Sequence, residues 1–166
     1  FVDVEQSVEL PLQRGRIIPL ETSDSSLLYD IVSIDQVKDK YFIRSRNKIL
    51  TFDTEGNYLY NISGIGQGNK EYVNLSSFFI KNEELCIYDF NQGRVLVFAP
   101  SGRYLRTEKA VKNSDVECVP QLIRPYGKNK YIAKNSFNGT PGYVTPALSL
   151  LDEKYTITQT LEGHSL

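Results

Sequence analysis

This chain contains the stretch ILTFDTEGNYL at residues 49–59 and a second copy, VLVFAPSGRYL, at residues 95–105. The copies lie 46 residues apart and share Leu, Phe, Gly, Tyr and Leu in register. In both, an apolar run meets a short polar turn with a glycine and then a second strand-like run, a pattern that predicts a β-hairpin. A third stretch, LSLLDEKY at residues 148–155, resembles the two copies but lacks the glycine.

The sequence upstream of each copy follows one common order. A polar turn leads into an apolar strand at residues 39–43, 83–87 and 129–133, so each unit predicts three to four antiparallel strands. Residues 49–52 and 95–98 are apolar on both strand faces, which indicates a sheet packed between other sheets. A period of about 45 residues with such strands is typical of a β-propeller blade. We therefore expect an all-β, partial β-propeller.

The repeat divides one partial-propeller domain into approximate units. Residues 1–29 are expected to form lead-in strands, and blades are expected at residues 30–74, 75–120 and 121–166. The last of these blades carries an insertion at residues 135–142. No long segment keeps the 3.6-residue apolar period of a helix.

Composition excludes several classes of function. The 166 residues include 19 basic and 20 acidic side chains, so the net charge of −1 gives no basic excess and no nucleic-acid partner is expected. No apolar run approaches the ~18 residues of a transmembrane segment. One His and two Cys exclude a zinc finger, and no metal site is predicted. Cys86 and Cys118 are either buried hydrophobes or, in an exported protein, partners in a disulfide.

One segment resembles a known repeat. Residues 85–98, LCIYDFNQGRVLVF, are similar to the NHL repeat, in which an apolar strand ends in Asp and a basic residue opens the next strand after a turn with Asn and Gly. Asp89 and Arg94 match those acidic and basic positions. Residues 62–72, ISGIGQGNKEY, look like the linker between blades of six-bladed, NHL-like propellers of exported bacterial lipoproteins. Residues 16–21 look like the strand that leads into the first blade of those proteins.

The resemblance covers residues 16–106 and fades over residues 112–145, and the first unit lacks the Asp. It implies an exported protein, periplasmic or anchored to the outer membrane as a lipoprotein, with a binding or scaffold role and an unknown protein or glycan partner. The start at Phe1, with no Met in the chain, fits a processed or trimmed product. Six blades of about 45 residues need roughly 270 residues, so the missing blades are expected from a longer chain or from a homodimer.

Four side chains are candidates for ligand binding: Asp89, Arg94, Glu71 and Tyr72. Asp89 either faces the channel of the propeller or accepts hydrogen bonds from its own turn, and we favour the second interpretation because Asp commonly does this. Glu71 is expected to fix the glycine-rich linker by accepting backbone N–H bonds. The glycines of residues 64–68 indicate a flexible linker rather than a phosphate site, because no amphipathic helix follows them.

Two alternative functions stay open. A propeller enzyme, a lyase or a hydrolase, could use a Ca²⁺-type channel site built from carboxylates and amides, although no catalytic motif stands out and no other cofactor is predicted. An RNA-binding module could use the basic residues within 44–48, with Tyr41 and Phe42 as stacking partners. The non-enzymatic binding or scaffold role is the function we expect.

Overall fold

The computed structural model describes residues 15–109, 119–136 and 146–161. Within these ranges the chain forms three four-stranded antiparallel sheets and no helix. The first sheet comprises β1 (Ser33–Val37), β2 (Lys40–Ser45), β3 (Lys48–Asp53) and β4 (Tyr58–Ile62). The second comprises β5 (Leu75–Lys81), β6 (Glu84–Asp89), β7 (Arg94–Phe98) and β8 (Tyr104–Lys109). The third comprises β9 (Val119–Pro125), β10 (Tyr131–Ser136), β11 (Leu148–Leu151) and β12 (Ile157–Leu161).

Each sheet is a meander in which strands that are consecutive in the chain are neighbours. Tyr41 pairs with Phe52 in the first sheet and Leu85 pairs with Phe98 in the second, so the two copies of the sequence repeat occupy equivalent strands. Tyr131 and Leu151 form the corresponding pair of the third sheet. The prediction of an all-β, partial β-propeller is confirmed. None of the described segments forms a helix long and apolar enough to cross a membrane.

The hairpin between the third and fourth strands, here called the outer hairpin, has the same geometry in the three sheets. Gly56 and Gly102 have φ values of 93° and 80°, a region that costs little for glycine and more for other residues. The hairpins predicted around these two glycines are confirmed. Tyr155 stands at the equivalent place in the third sheet with a φ of 63°, and its buried ring lies 4.8 Å from that of Tyr131. Packing of the ring offsets the strain of its backbone.

Apolar side chains between adjacent sheets form two clusters. One joins the first and second sheets through residues that include Phe42, Ile49, Phe78, Ile87 and Leu96. The other joins the second and third sheets through residues that include Cys86, Val95, Val97, Ile123, Tyr131 and Leu151. The apolar positions of β3 and β7 are buried on both faces, as their sequences predicted.

The segment before β1 covers the outward face of the first sheet. Leu20 and Leu28 pack against a buried cluster of Ile43, Leu50 and Phe52, and Glu21 N donates to Gly56 O at 2.8 Å. The lead-in strand expected at residues 16–21 is not formed. Pro19 lies in this segment without a backbone N–H to donate to a ladder, and the segment crosses the outer hairpin as a cover instead.

No segment within the described ranges covers the outward face of the third sheet. This face carries the half-buried Ile132 and Leu150 and the more exposed Leu122, Leu148 and Leu161, each 37% accessible. By register, Ile132 occupies the place of Phe42 and Cys86, both of which are fully buried by the next sheet. The insertion predicted at residues 135–142 begins at the end of β10, and its remainder lies outside the described residues.

Candidate functional site

The four predicted site residues lie around the linker that joins β4 to β5. Asp89, at the end of β6, is fully buried. Its Oδ2 accepts a hydrogen bond from Val73 N at 2.8 Å, and its Oδ1 accepts bonds from Asn91 N at 3.1 Å and Gln92 N at 3.4 Å. The carboxylate therefore fixes its own turn, as we favoured, and also holds the end of the linker against the second sheet.

Arg94 and Glu71 hold the glycine-rich part of the linker. One guanidinium nitrogen of Arg94 donates to Gly68 O at 2.9 Å and to Glu71 O at 2.5 Å. Glu71 Oε2 accepts from Gly68 N at 3.0 Å, the backbone role expected for this residue. A Cβ atom on Gly66 would lie 2.0 Å from that same carboxylate oxygen, so a side chain at residue 66 would displace the Glu71 carboxylate from its bond to Gly68 N. A carboxylate at this position also disfavours a phosphate ligand.

Tyr72 clamps the linker to the first sheet. Its ring is buried, and its hydroxyl donates to Asn47 O at 2.6 Å. Its backbone N donates to Gly64 O at 2.7 Å beside a parallel bridge with Ile65. Burial raises the pKa of the Tyr72 hydroxyl to about 12, so the group stays a neutral donor. The structure thus brings the four candidates together, and each of them contacts backbone groups.

The first sheet replaces the missing Asp with two residues that the sequence did not single out. Ser45 lies at the register position of Asp89 and its Oγ accepts from Tyr29 N at 3.2 Å. Asp30 supplies a carboxylate from the preceding segment, accepting from Ser45 Oγ at 3.1 Å and Arg46 N at 2.9 Å. A polar residue in an otherwise apolar strand was the available signal for Ser45, and nothing local marks Asp30.

A groove of about 540 Å³ lies beside Arg94 on the second sheet. Its described lining residues include two cations and no acid: Asn69, Gln92, Gly93, Arg94, Tyr104, Thr107 and Lys109. Lys70 adds a third cation near the rim, with its Nζ 5.9 Å from the centre of the Tyr104 ring. Among the described residues, Arg94 Nε is shielded from solvent without a hydrogen-bond partner. The groove offers positive charge, amide groups and an aromatic ring together.

A second polar cluster joins the second and third sheets. Lys81 Nζ lies 3.4 Å from both Glu108 Oε2 and Tyr155 Oη. Burial would lower the Lys81 pKa, but the charges of Tyr131 and Glu108 outweigh it and raise that pKa. Burial likewise raises the pKa of the Tyr155 hydroxyl. Both groups keep their protons, which is the opposite of what a nucleophile or general base needs.

The two alternative functions, an enzyme with a channel metal site and an RNA-binding module, have little support from the described residues. No group of three or more His, Cys, Asp or Glu side chains there could hold a metal ion. For RNA, Phe42 lies in the core and is not available to stack on bases, and Arg44 donates one guanidinium nitrogen to Ser76 O at 2.7 Å. Arg46 stacks on Tyr29 at 4.1 Å.

The structure describes one of the two cysteines. Cys86 is fully buried in β6, and burial raises the pKa of its thiol to about 12. Cys118 lies outside the described residues, so the two alternatives, buried hydrophobes or a disulfide, both stay open.

Three solved structures share this fold. An inferred exported protein from Bacteroides fragilis NCTC 9343 superposes with a TM-score of 0.72 at 18% identity, over 89% of this chain and 42% of that one. A member of the DUF4221 family from Bacteroides vulgatus ATCC 8482 gives 0.53 at 12% identity, over 85% and 44%. The WD40 domain of Neurospora crassa Pan2 gives 0.51 at 10% identity, over 80% and 36%. This chain spans less than half the length of each.

Such likenesses at low identity show the fold alone. None of the curated proteins matches the chain. The sequence profile of a family described as a domain of unknown function, DUF4934, matches residues 12–165. Because this match takes in the three sheets and the linker between the first two, the chain belongs to the DUF4934 family.

Proposed function

We propose that this chain is part of an exported, non-enzymatic binding propeller with NHL-like blades, and that its groove beside Arg94 binds an acidic glycan. The observation that carries the proposal is the lining of that groove, which joins cations, amides and an aromatic ring without a described carboxylate. Export is supported by the likeness to the Bacteroides fragilis structure, and we place the protein in the periplasm or at the outer membrane as an anchored lipoprotein.

The chemistry of the groove fits a saccharide that carries carboxylates. Its volume of about 540 Å³ lies in the range of small-molecule sites, roughly 300–1,000 Å³, and holds one or two sugar rings. Gln92 and Asn69 offer amides that hydrogen-bond hydroxyl groups, and Lys109 offers a charge for a carboxylate. Tyr104, whose hydroxyl is paired with Thr107 Oγ1 at 2.8 Å, supplies an apolar ring face on the same wall.

Titration with polygalacturonate oligomers, followed by calorimetry, tests this function. We expect binding that weakens as salt is raised, and no binding to neutral dextran oligomers. Lys109→Gln should weaken binding roughly five- to tenfold, because it removes one charge-assisted contact. Lys128→Gln is the matched control, since this exposed lysine lies on the third sheet's inner hairpin, away from the groove. Equal affinity for the two polysaccharides, or equal losses in the two variants, would contradict the proposal.

We further propose that the three sheets are blades, approximately residues 30–74, 75–120 and 121–166, of a larger ring whose missing blades come from a longer chain. The open face of the third sheet supports this, because Phe42 and Cys86 are covered by a following sheet where Ile132 is not. The short coverage of the solved relatives, 42% and 44% of their chains, also supports it.

Thiol labelling tests this arrangement in a Cys118→Ser background. Cys86 should resist alkylation in the folded chain, whereas Ile132→Cys should react at a rate close to that of an unfolded control. In a longer product of the same gene, Ile132→Cys should be protected as Cys86 is. Protection that instead rises with the concentration of the 166-residue chain would show that a second copy covers the face.

A further inference from the structure

The free edge of β5 is where the three sheets meet. Among the described strands β5 pairs with β6 alone, so carbonyl groups on its other side lack a partner within the sheet. Two arginines from the neighbouring sheets bind these carbonyls. Arg44 of β2 donates to Ser76 O at 2.7 Å, and Arg124 of β9 donates to Phe78 O. Two guanidinium groups from different sheets therefore converge on one strand edge.

The two bound carbonyls lie close together in the chain. Ser76 sits in a β-bulge between Leu75 and Ser77, and Phe78 follows two residues later, so both carbonyls belong to one short stretch of the edge. Arg44 also donates its Nε to Arg46 O at 3.3 Å, which leaves N–H groups on its two terminal nitrogens, and Arg124 keeps further N–H groups of its planar fork. A compact oxyanion can accept from two such forks at once. Arg124 has a side chain that is 42% accessible, so the place is open to a ligand.

Positive charge at this edge is incompletely balanced. Asp35 of β1 is the nearest carboxylate to Arg124, and their closest approach is 3.9 Å, too long for a hydrogen bond. Burial raises the pKa of Asp35 more than Arg124 lowers it, and burial together with Arg124 lowers the pKa of Arg44. Asp30 is the other carboxylate that acts on Arg44, but its Oδ1 already accepts from Ser45 Oγ and Arg46 N.

We propose that Arg44 and Arg124 bind a small oxyanion, a phosphate or a short dicarboxylate, at the β5 edge where the three sheets meet. In this arrangement the arginines hold the edge carbonyls with one nitrogen each and the anion with others. Asp35 competes with the anion for Arg124. The site is separate from the groove beside Arg94, which lies on the linker side of the second sheet and shares none of these residues.

Titration of the 166-residue chain with phosphate and, separately, with succinate tests the proposal, at constant ionic strength with chloride as the reference anion. Backbone amide shifts of β5 and the thermal midpoint report binding. Arg124→Gln should weaken binding about tenfold, the loss expected for one charged hydrogen-bonding partner, whereas the exposed Arg103→Gln should leave it unchanged. Lys109→Gln, which tests the groove, should also leave it unchanged.

Asp35→Asn should change the anion affinity in the opposite direction to Arg124→Gln. It removes the competing charge while keeping the shape of the side chain, so it should tighten anion binding severalfold. Binding of one anion and not the other would identify the class of ligand. No anion-specific shift, equal effects of Arg124→Gln and Arg103→Gln, or no gain in Asp35→Asn would overturn the proposal and leave the arginines as caps of the strand edge.

Discussion

The first and third sheets share one topology and differ in what covers their outward faces. On the first sheet, Leu20 and Leu28 lie over Ile43, Leu50 and Phe52. On the third, Ile132 and Leu150 have no such cover from the described residues. Two-sided burial of a propeller sheet therefore depends on its neighbour and not on its own strands. The first sheet obtains its cover from an irregular segment, and no described segment covers the third.

The largest expected effect comes from matched truncations on the two kinds of face. Phe42→Ala should lower the free energy of unfolding by about 3–5 kcal/mol, because Phe42 is fully buried between the first and second sheets. Ile132→Ala, at the equivalent position on the open face, should cost about 1 kcal/mol or less. Urea unfolding followed by circular dichroism measures both values. Equal losses would show that the third sheet is covered after all.

The next effect concerns the buried carboxylate that the first and third sheets lack. Asp89→Ala should cost about 2–3 kcal/mol, since the amides of Val73, Asn91 and Gln92 lose their acceptor. Asp53→Ala, in an exposed turn of the first sheet, is the control and should have the smaller effect. Urea midpoints compare the two variants. Hydrogen exchange of the Val73 amide should become faster in Asp89→Ala and stay unchanged in Asp53→Ala. Unchanged exchange at that amide would argue against the assigned role.

A smaller effect tests the cover of the first sheet. Gly56→Ala places a Cβ atom 2.1 Å from Pro19 O and strains a φ of 93°, so we expect a loss of about 1–2 kcal/mol. The covering segment should also detach, which limited proteolysis near residue 20 would detect. Thr54→Ala, in the same hairpin, is a control. Full protection of the segment in Gly56→Ala would show that its contact with the hairpin is dispensable.

The smallest effect concerns the ion pairs of Arg106 with Glu84 and Glu108 on the covered face of the second sheet. Hydrogen bonds from Arg106 lower the pKa of Glu84, and the same arginine helps lower that of Glu108 against its burial. A carboxyl group whose pKa is lowered in the folded state stabilises the protein at pH values above its ordinary pKa near 4.5. This stabilisation is lost as the pH falls through the pKa of the folded state.

Urea midpoints at pH 6 and pH 3 measure this contribution. Arg106→Gln should reduce the difference between the two midpoints, whereas Arg103→Gln, on an exposed hairpin, should preserve it. The change should be modest, because the groups are partly exposed and screened by solvent. If both variants show the same difference between the midpoints at pH 6 and pH 3, Arg106 does not contribute to the loss of stability in acid.

Much of the fold could be predicted from local patterns, because a strand and its hairpin are set by neighbouring residues. Gly56 and Gly102 predicted the positions of two hairpins correctly, and the apolar runs of β3 and β7 predicted burial on both faces. The segment at residues 16–21 was predicted wrongly, since its contacts are made with a hairpin some 35 residues away. Tyr155 shows the same limit, because its positive φ depends on packing against Tyr131.

The candidate site was predictable to a smaller degree. Residue type and position identified Asp89 and Glu71 as partners of backbone amides, which are local contacts. The groove beside Arg94 could not be foreseen, because it forms only when the linker folds against β7 and β8. The arginines at the β5 edge could not be foreseen either, because they come from two other sheets. Arg44 shows this best: its sequence context suggested a surface cation, and its guanidinium instead binds Ser76 O on the neighbouring sheet.

The carboxylate of Asp89 binds the linker that precedes its own sheet, and Ser45 with Asp30 does the same for the first sheet. Each of these sheets thus carries its incoming connection as an integral part. Tyr72 ties the same linker to the sheet before it, so neighbouring sheets are joined through the bonded chain as well as through their apolar cluster. Loss of the Asp89 carboxylate should therefore loosen the second sheet from the first, and not only its own turn.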